Sequence, residues 1–392
     1  MATNVTGRLT KEQPALLAVA PTCHVFNSDE DPNASERLHD LLKKHYEQTE
    51  NLSVSDPSSV MIHRNGLVNG KYQLTTPALS HLCSSLAPGL SLFIRSLAGL
   101  SSCDKQVQDV ETAIAILNKT IALRFDRLNG SSLVLDRETG RIEGVVGRKY
   151  EFFPNLALFE RTREFISSAK AQPSVFKEAA LEGRRMMLRY QSRDQLFEIR
   201  RSDRPLEPFF GGFHFANSEV GQCSVRAASV LIRQICSNGA ISPFFDGGKI
   251  PHIRGSRFNA KLSKLLSRVE TKAVEATGPF KERIIGMMDK PLGVAGDLKE
   301  QEARRLQIVN QLYKKGITKT MAESVLSRAL LDGSYSREAN LTTMSVENEY
   351  PTRTVYDLFN ALTSEAKLCG IADREYAEMI AYQMLTGKFE LR

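Results

Sequence analysis

The sequence predicts an α+β protein in which a mixed β-sheet region with flanking helices is followed by an all-helical C-terminal third. Short alternation of apolar and polar residues, typical of strands, is concentrated between residues 131 and 215. After Pro251 the apolar residues recur every three to four positions instead. We divide the chain into a mostly helical region 1–140, a β-rich core 141–255 and a helical region 256–392.

Helix-start residues mark the first region. Ser35 is placed to cap a helix over SERLHDLLKKHYEQT, whose leucines recur on one face. Pro77 suits the first turn of another helix, PALSHLCSSLA. Asp104 is placed to cap a longer helix, DKQVQDVETAIAILNKTIAL. Polar turns separate these segments, so we expect few strands before residue 130.

The β-rich core begins with a predicted hairpin, SSLVLD-RETG-RIEGVVG, between residues 131 and 147. A helix starting near Asn155 follows, and the alternation of MMLRYQ, LFEIRR and FFGGFHF then predicts strands between residues 184 and 215. The next segment, VRAASVLIRQIC, has apolar residues at helical spacing, whereas its β-branched residues leave a strand as the alternative.

The C-terminal third has helical periodicity throughout. The segment RFNAKLSKLLSRVETKAVEAT carries its leucines on one stripe. Further helices are predicted over residues 295–315, 318–331, 354–368 and 372–386.

The composition is typical of a globular protein in a reducing compartment. Hydrophobic residues make up 42% of the chain and charged residues 25%. No apolar run approaches the roughly 18 residues that would span a membrane. The six cysteines include no Cys-x-x-Cys pair, so reduced thiols are expected. We therefore expect a cytoplasmic protein that does not engage a membrane.

Common enzyme motifs are absent from the sequence, which has no Walker loop, dinucleotide-binding glycine pattern, HExxH or GxSxG. We therefore expect no catalytic residue, metal or cofactor. Two alternatives stay open. One is a composite metal site of His214, Glu219, Asp246 and His252, and the other is a nuclease centre around Asn217, Glu219 and His252.

Two polar turns flank the VRAASVLIRQIC segment. In NSEVG and CSNG, Asn and Ser side chains can bond their own backbone, Gly supplies a positive φ, and Cys suits a buried position. The alternatives are a ligand-binding cluster at the first turn and a nucleophilic cysteine at the second. The motif residues are Asn217, Ser218, Glu219, Cys236, Asn238 and Gly239.

Positive charge is concentrated in the middle of the chain. The net charge is +7, and residues 181–290 contain 19 Lys or Arg residues against 11 Asp or Glu residues. Clustered cations attract polyanions, nucleic acid above all. The candidate phosphate-binding residues are Arg184, Arg185, Arg189, Arg200, Arg201, Arg226, Arg233, Arg257, Lys261, Lys264 and Arg268.

Spacing groups some of these cations. The four cations from Arg257 to Arg268 are spaced four, three and four apart, so on a helix they form one stripe opposite the leucines. A solvated helix face is the ordinary explanation, but the uniform sign favours a nucleic-acid contact. Arg226 and Arg233 are seven apart and would share a face if their segment were helical.

Aromatic residues lie beside the basic strands. Phe213 and Phe215 alternate onto one face of their predicted strand. Exposed rings at these positions would stack on unpaired bases, whereas buried rings would belong to the core. We include both residues in the candidate nucleic-acid contact.

Three stretches, GRKYEFFPNLALFE, FANSEVGQCSVRAASVLIRQICSNGAI and TVYDLFNALTSEAK, occur in this order between about residues 145 and 370. Together they resemble an uncharacterised family of phage- and plasmid-encoded proteins, a domain-of-unknown-function family. In that family an Asn-Ser turn leads through an Arg-bearing segment to a Cys-Ser/Thr-Asn-Gly turn, and a later helix carries Asn-Ala-x-Thr, here with Asn360 and Thr363. The resemblance implies a mobile-element origin and no established activity.

The leading functional hypothesis is a DNA-binding accessory protein of a phage or mobile element that handles single strands in recombination or replication, acting as an oligomer. One alternative is an interaction protein that inhibits a host defence or housekeeping factor. The other is the metal-dependent nuclease. The expected partners are therefore DNA, a host protein or further copies of the same chain.

Overall fold

The computed structural model describes most of the chain. The described ranges are residues 17–98, 109–168, 173–201, 204–233, 240–243, 248–255, 258–275, 277–294, 298–331 and 354–391. Within them the chain forms eleven α-helices and two β-sheets, which confirms the predicted α+β class.

Twelve strands form the two sheets. In chain order they are β1 Cys23–Asn27, β2 Thr49–Ser53, β3 Leu67–Val68, β4 Tyr72–Leu74, β5 Ser132–Asp136, β6 Arg141–Val146, β7 Ser174–Glu182, β8 Arg185–Arg201, β9 Arg204–Ser218, β10 Val225–Arg233, β11 Ala240–Pro243 and β12 Gly248–Ile250.

Five of the helices lie between strands in chain order, and the other six follow β12. The helices are α1 Ala34–Gln48, α2 Thr76–Leu86, α3 Leu90–Leu97, α4 Val110–Leu123, α5 Asn155–Ser168, α6 Phe258–Glu275, α7 Thr277–Asp289, α8 Leu298–Lys314, α9 Lys319–Leu331, α10 Val355–Ala366 and α11 Ile371–Leu385.

The larger sheet has the strand order β1-β7-β8-β9-β10-β11, with β12 also paired to β10, and every pairing in it is antiparallel. Its centre is the long pair β8 and β9, in which Arg189 lies opposite His214 and Arg185 lies opposite Ser218. This register decides which side chains of neighbouring strands meet on each face.

One face of the larger sheet builds an apolar core with α1, α5 and α6. Phe213 and Phe215 pack there with Tyr190, and the ring of Phe165 on α5 meets both phenylalanines edge-on. Leu262 of α6 belongs to the same cluster. The opposite face meets α11, where Ala180 and Met187 pack against the first residue of that helix.

A second sheet of five strands, in the order β2-β5-β6-β4-β3, packs against α2, α3 and α4. The hairpin of β5 and β6 was predicted, and its partners β2, β3 and β4 were not. These strands are five, two and three residues long, which is too short for an alternating pattern to stand out. The region before residue 140 is therefore less helical than the sequence indicated.

The segment 225–233 is a strand, which corrects the helical interpretation of VRAASVLIR. It pairs with β9 along its whole length and with β11 and β12 on its other edge. Because both of its faces are covered, apolar residues occur on both and hide the period of two. Arg226 and Arg233 consequently point to opposite faces of the sheet, since an odd separation changes sides.

The predicted C-terminal helices are confirmed as α8, α9, α10 and α11, and α7 was not predicted. They pack around Tyr356, Leu358 and Ile380 and also enclose Phe209 and Leu231 of the larger sheet. Earlier in the chain, Asp109 caps α4, because its carboxylate accepts from the backbone N–H of residue 112. Asp104, the predicted cap, lies outside the described residues. No helix within the described ranges is long and apolar enough to cross a membrane.

Candidate functional site

A layer of ion pairs lies between the larger sheet and α11. Arg189, which is fully buried, pairs with Glu178 on β7 at 2.5 Å and with Glu378 on α11. Arg374 pairs with the same two carboxylates, at 2.5 and 3.1 Å. Although burial opposes the charged form, Arg374 and Arg189 hold the pKa of Glu178 well below its usual range. Two arginines therefore pair with two carboxylates in this layer, and the Lys367 ammonium interacts with all four charges.

His214 belongs to the same layer. The Nε–H of Arg189 donates to Nδ1 of His214 at 3.3 Å, so the ring proton lies on Nε2. Burial first, and then the nearby Arg189 cation, lowers the pKa of His214 well below its usual value. The ring is therefore neutral at neutral pH, and its buried Nε2–H has no acceptor among the described residues.

A pocket of about 600 Å³ opens beside this layer, between the larger sheet and α11. Arg226 on β10 and Lys249 on β12 lie opposite each other in the strand register and line its sheet side. Its lining includes Arg185, His214, Arg226, Lys249, Glu375, Tyr376 and Met379.

Glu375 pairs with two of the pocket's cations. Its Oε2 accepts from Arg185 at 2.6 Å and from Arg226 at 3.1 Å. Its Oε1 and the Nε–H of Arg185 are buried and have no hydrogen-bond partner among the described residues. An unpartnered buried polar atom costs about 1–3 kcal/mol, so three such atoms around one pocket indicate a place for a polar ligand.

The charges of the pocket do not cancel. Arg185, Arg226 and Lys249 supply three cations against the single carboxylate of Glu375, and His214 is neutral. The side chain of Arg226 is 35% exposed and Lys249 is exposed, so two of the cations are open to solvent. The arrangement can bind an anion, because both hydrogen-bond donors and uncompensated positive charge face one space.

A second buried cluster joins the two sheets. Arg184 pairs with Asp136 at 3.3 Å and Glu219 at 3.4 Å, and it also donates to the hydroxyl of Thr49 at 2.8 Å. Burial raises the pKa of nearby Glu143 to about 7, against the pull of Arg184. These contacts lie inside the protein and hold the two sheets together.

The structure corrects the expected phosphate contact of four arginines, of which Arg184 lies in the turn between β7 and β8 and the others lie on strands. Arg184, Arg185, Arg189 and Arg233 are at most 9% exposed and each pairs with a carboxylate. A charged side chain on a strand that another layer covers must be paired, because an isolated buried charge is too costly. Three of the four are therefore structural, and Arg185 also lines the pocket.

The remaining predicted cations are divided between surface and pocket. Arg200 is exposed on β8, and Lys261, Lys264 and Arg268 are exposed on α6. Arg226 lines the pocket. The side chain of Arg201 and the whole of Arg257 lie outside the described residues.

The two phenylalanines cannot stack on a base where they lie. Phe213 and Phe215 are fully buried in the core between the sheet and α5. The alternation predicted correctly that both rings lie on one face of the strand, but α5 covers that face. This placement corrects the expectation that they contact nucleic acid.

The first turn motif fastens α5 to the sheet. Asn217 donates to the side-chain oxygen of Asn155 at 2.8 Å, and Glu219 accepts from the backbone N–H of Asn155 at 2.7 Å. The hydroxyl of Ser218 accepts from the backbone within the turn, where Gly221 has φ 81°. The turn interpretation is confirmed, and these side chains are too buried to meet a ligand from solvent.

The other motif residues lie apart from the pocket lining. Asn360 and Thr363 are buried on α10, where the Thr363 hydroxyl donates to the backbone carbonyl of Asn360 at 3.0 Å. Cys236, Asn238 and Gly239 lie outside the described residues.

The composite metal site is not assembled among the described residues, where no group of three or more His, Cys, Asp or Glu side chains is placed to hold a metal ion. Glu219 is committed to Asn155 and Arg184. His252 stacks on Tyr150 with ring centroids 5.0 Å apart. Asp246 lies outside the described residues.

Sequence reasoning did not select Lys249 or the α11 residues Glu375, Tyr376 and Met379. The available signal was the segment IADREYAEMIAYQML, which places Arg374, Glu375 and Glu378 in an otherwise largely apolar helix. Charges that an apolar helix buries need partners. Here the two glutamates pair with strand arginines, and Arg374 pairs with Glu178 of β7.

The fold and the pocket together define an α+β protein with a large antiparallel sheet and a positively charged pocket beneath its last helix. Residues 143–368 match the family described as Domain of unknown function (DUF932), and the chain belongs to that family. The match spans β6 to α10, so it contains the sheet side of the pocket, and α11 follows it. No curated protein and no solved structure matches the chain.

Proposed function

We propose that the chain is a DNA-binding accessory protein whose exposed cations on α6 contact the phosphate backbone. The single observation that carries this proposal is the stripe of Lys261, Lys264 and Arg268, hereafter the α6 stripe. All three side chains are exposed, and no carboxylate among the described residues pairs with them.

The stripe is held in place by the opposite side of the helix. Leu262, Leu265, Leu266 and Val269 are buried against the larger sheet. The contact with β12 is close, because a Cβ at Gly248 would lie 2.9 Å from the side chain of Leu265. Anchoring by these side chains keeps the three cations facing away from the protein together.

The described residues offer no exposed phenylalanine of the predicted contact for stacking on bases, which bears on how the α6 stripe binds DNA. Phe213 and Phe215 are in the core, and the arginines that were expected beside them are paired. Contacts are therefore made to phosphates rather than to base faces, which supports binding that is indifferent to sequence and sensitive to salt.

A binding assay with matched variants tests the proposal. Fluorescence anisotropy of labelled single- and double-stranded DNA is measured for the wild-type protein and for the triple variant Lys261→Ala, Lys264→Ala, Arg268→Ala. The control is the triple variant Lys299→Ala, Arg305→Ala, Lys314→Ala, which removes the same charge from exposed positions of α8. We expect the α6 variant to lose affinity and the α8 variant to retain it. Equal losses would refute the assignment to α6.

The finer parts of the proposal are a phage or mobile-element origin and a role in recombination or replication, with single-strand handling by an oligomer. The resemblance of the three ordered motifs to phage- and plasmid-encoded proteins supports the origin. Pull-down from host lysate with and without nuclease separates the DNA partner from a protein partner. A captured host protein that survives nuclease treatment and is lost with the α6 variant would assign this surface to a protein instead.

A further inference from the structure

We propose that the pocket between the larger sheet and α11 binds a terminal phosphate group carried by a nucleoside. Two sources share this chemistry, a free nucleoside monophosphate and the 5′-phosphorylated end of a DNA strand. The strand-end source deepens the proposed function and rests on it, whereas the free-nucleotide source does not. The pocket residues are distinct from the α6 stripe.

The charge of the pocket selects a phosphate monoester. Arg185, Arg226 and Lys249 exceed Glu375 by two positive charges, and the layer behind them contains two arginines, two carboxylates and Lys367. A phosphate monoester carries about −1.5 to −2 charges at neutral pH. An internal phosphodiester carries only one negative charge, so the end of a strand matches this pocket better than its interior.

The unpartnered atoms match the hydrogen-bonding capacity of the same ligand. The Nε2–H of His214 and the Nε–H of Arg185 are donors, which suit phosphate oxygens. Oε1 of Glu375 is an acceptor, which suits a sugar hydroxyl or a base amino group. Glu375 is therefore a positioning residue: its Oε2 holds Arg185 and Arg226 while its Oε1 faces no protein donor.

The side of the pocket that α11 forms suits the flat ring of a nucleobase. Tyr376 is 40% exposed at the pocket, and Met379 lies one turn further along the helix. Aromatic and thioether side chains pack well on a base. The volume of about 600 Å³ lies in the range of pockets for small molecules, about 300–1,000 Å³. Inorganic phosphate alone would leave this wall uncovered.

Calorimetric titration tests the pocket with defined probes: 2′-deoxyadenosine 5′-monophosphate, deoxyadenosine, inorganic phosphate, and one single-stranded oligonucleotide with either a 5′-phosphate or a 5′-hydroxyl. The variants are Lys249→Ala and Tyr376→Leu, whose side chains are exposed or partly exposed, and Lys299→Ala at an exposed position of α8 is the control. Thermal melting of each variant confirms folding.

We expect the monophosphate to bind more tightly than deoxyadenosine and inorganic phosphate. Lys249→Ala should weaken it by about tenfold, Tyr376→Leu should also weaken it, and Lys299→Ala should leave it unchanged. A preference for the 5′-phosphorylated oligonucleotide assigns the strand end as a source, and binding of the free monophosphate alone assigns the free nucleotide.

Two results would overturn the proposal. The first is equal affinity for phosphorylated and unphosphorylated forms of both probes. The second is a phosphate preference that Lys249→Ala leaves intact. Failure of the proposed function looks different: DNA with a 5′-hydroxyl would then bind equally well to the wild-type protein and to the α6 triple variant, whatever the pocket does.

Discussion

Arg189 on β8 donates its Nε–H to Nδ1 of His214, its register partner on β9, across 3.3 Å. This contact connects the buried ion pairs to the pocket, because it leaves the second ring nitrogen of His214 as a donor. The remaining donors of Arg189 bind Glu178 and Glu378. One arginine thus ties α11 to the sheet and sets the protonation of a pocket residue.

Replacing Arg189 should strongly destabilise the protein. Arg189→Met would leave Glu178 and Glu378 with one buried cation instead of two, and breaking a buried pair in this way costs about 3–5 kcal/mol. Chemical denaturation measures the loss of unfolding free energy. Arg200→Met, at an exposed position of the same strand, is the control and should change it by less than about 0.5 kcal/mol. Similar effects of the two substitutions would show that the ion-pair layer does not stabilise the fold.

The neutral tautomer of His214 can be observed directly. Because burial and the Arg189 cation both disfavour the imidazolium, the ring should stay neutral as the pH falls through the usual histidine value of about 6.5. Nitrogen-15 NMR of labelled histidine should show one ring with its proton fixed on Nε2. Titration of that ring near pH 6.5, or a proton on Nδ1, would contradict the donor role assigned to His214 in the pocket.

Glu143 should make stability fall with rising pH. Burial raises its pKa from 4.5 to about 7 in the folded protein. Between these values the unfolded chain has lost the proton while the folded chain keeps it, so stability decreases as pH rises through this window. Glu143→Gln should therefore match the wild type near pH 4 and exceed it by about 3 kcal/mol above pH 7.

The control for this prediction is Glu50→Gln, since Glu50 is exposed on β2. It should produce no comparable pH-dependent gain. Denaturant unfolding across the pH range measures both variants. If Glu143→Gln were less stable than the wild type at pH 8, the buried carboxyl would be stabilising in its charged form, contrary to this prediction.

Gly212 should tolerate no side chain. A Cβ at this position would lie 2.1 Å from the backbone oxygen of Tyr190 on the neighbouring strand, so Gly212→Ala must push β8 and β9 apart. We expect a loss of about 2–4 kcal/mol. Gly286→Ala is the matched comparison, because nothing lies within 4 Å of its Cβ in the interior of α7, and it should gain about 0.5–1 kcal/mol. Thermal melting of both variants decides the prediction, and a neutral Gly212→Ala would oppose it.

The elements that the sequence predicted well are those with a clear period. The strands β8 and β9 and the helices α8 to α11 are long enough for alternation or helical spacing to show. The turn at residues 217–221 was also predicted. Ser218 and Gly221 have the expected local roles there, whereas the side chain of Asn217 bonds to Asn155 on α5 instead. In contrast, β10 was ambiguous because both of its faces are covered.

The pocket could not have been predicted from local pattern. Lys249 follows Arg226 by more than twenty residues, and Glu375 lies about 150 residues away from it. Pairing between distant strands and the docking of α11 bring them together. For the same reason a strand arginine such as Arg189 was predicted to contact phosphate. One of its two carboxylate partners is on the neighbouring strand β7 and the other is on a helix near the C-terminus.

The proposal that the α6 stripe contacts DNA phosphates is best tested by the dependence of DNA affinity on salt concentration. The logarithm of the association constant is measured against the logarithm of salt concentration for the wild type and for the triple variant of Lys261, Lys264 and Arg268. Each phosphate contact contributes about −0.7 to −0.9 to that slope. We predict that the triple variant has a slope shallower by about 2 to 3, while the α8 triple variant keeps the slope of the wild type. An unchanged slope in the α6 variant would contradict the account.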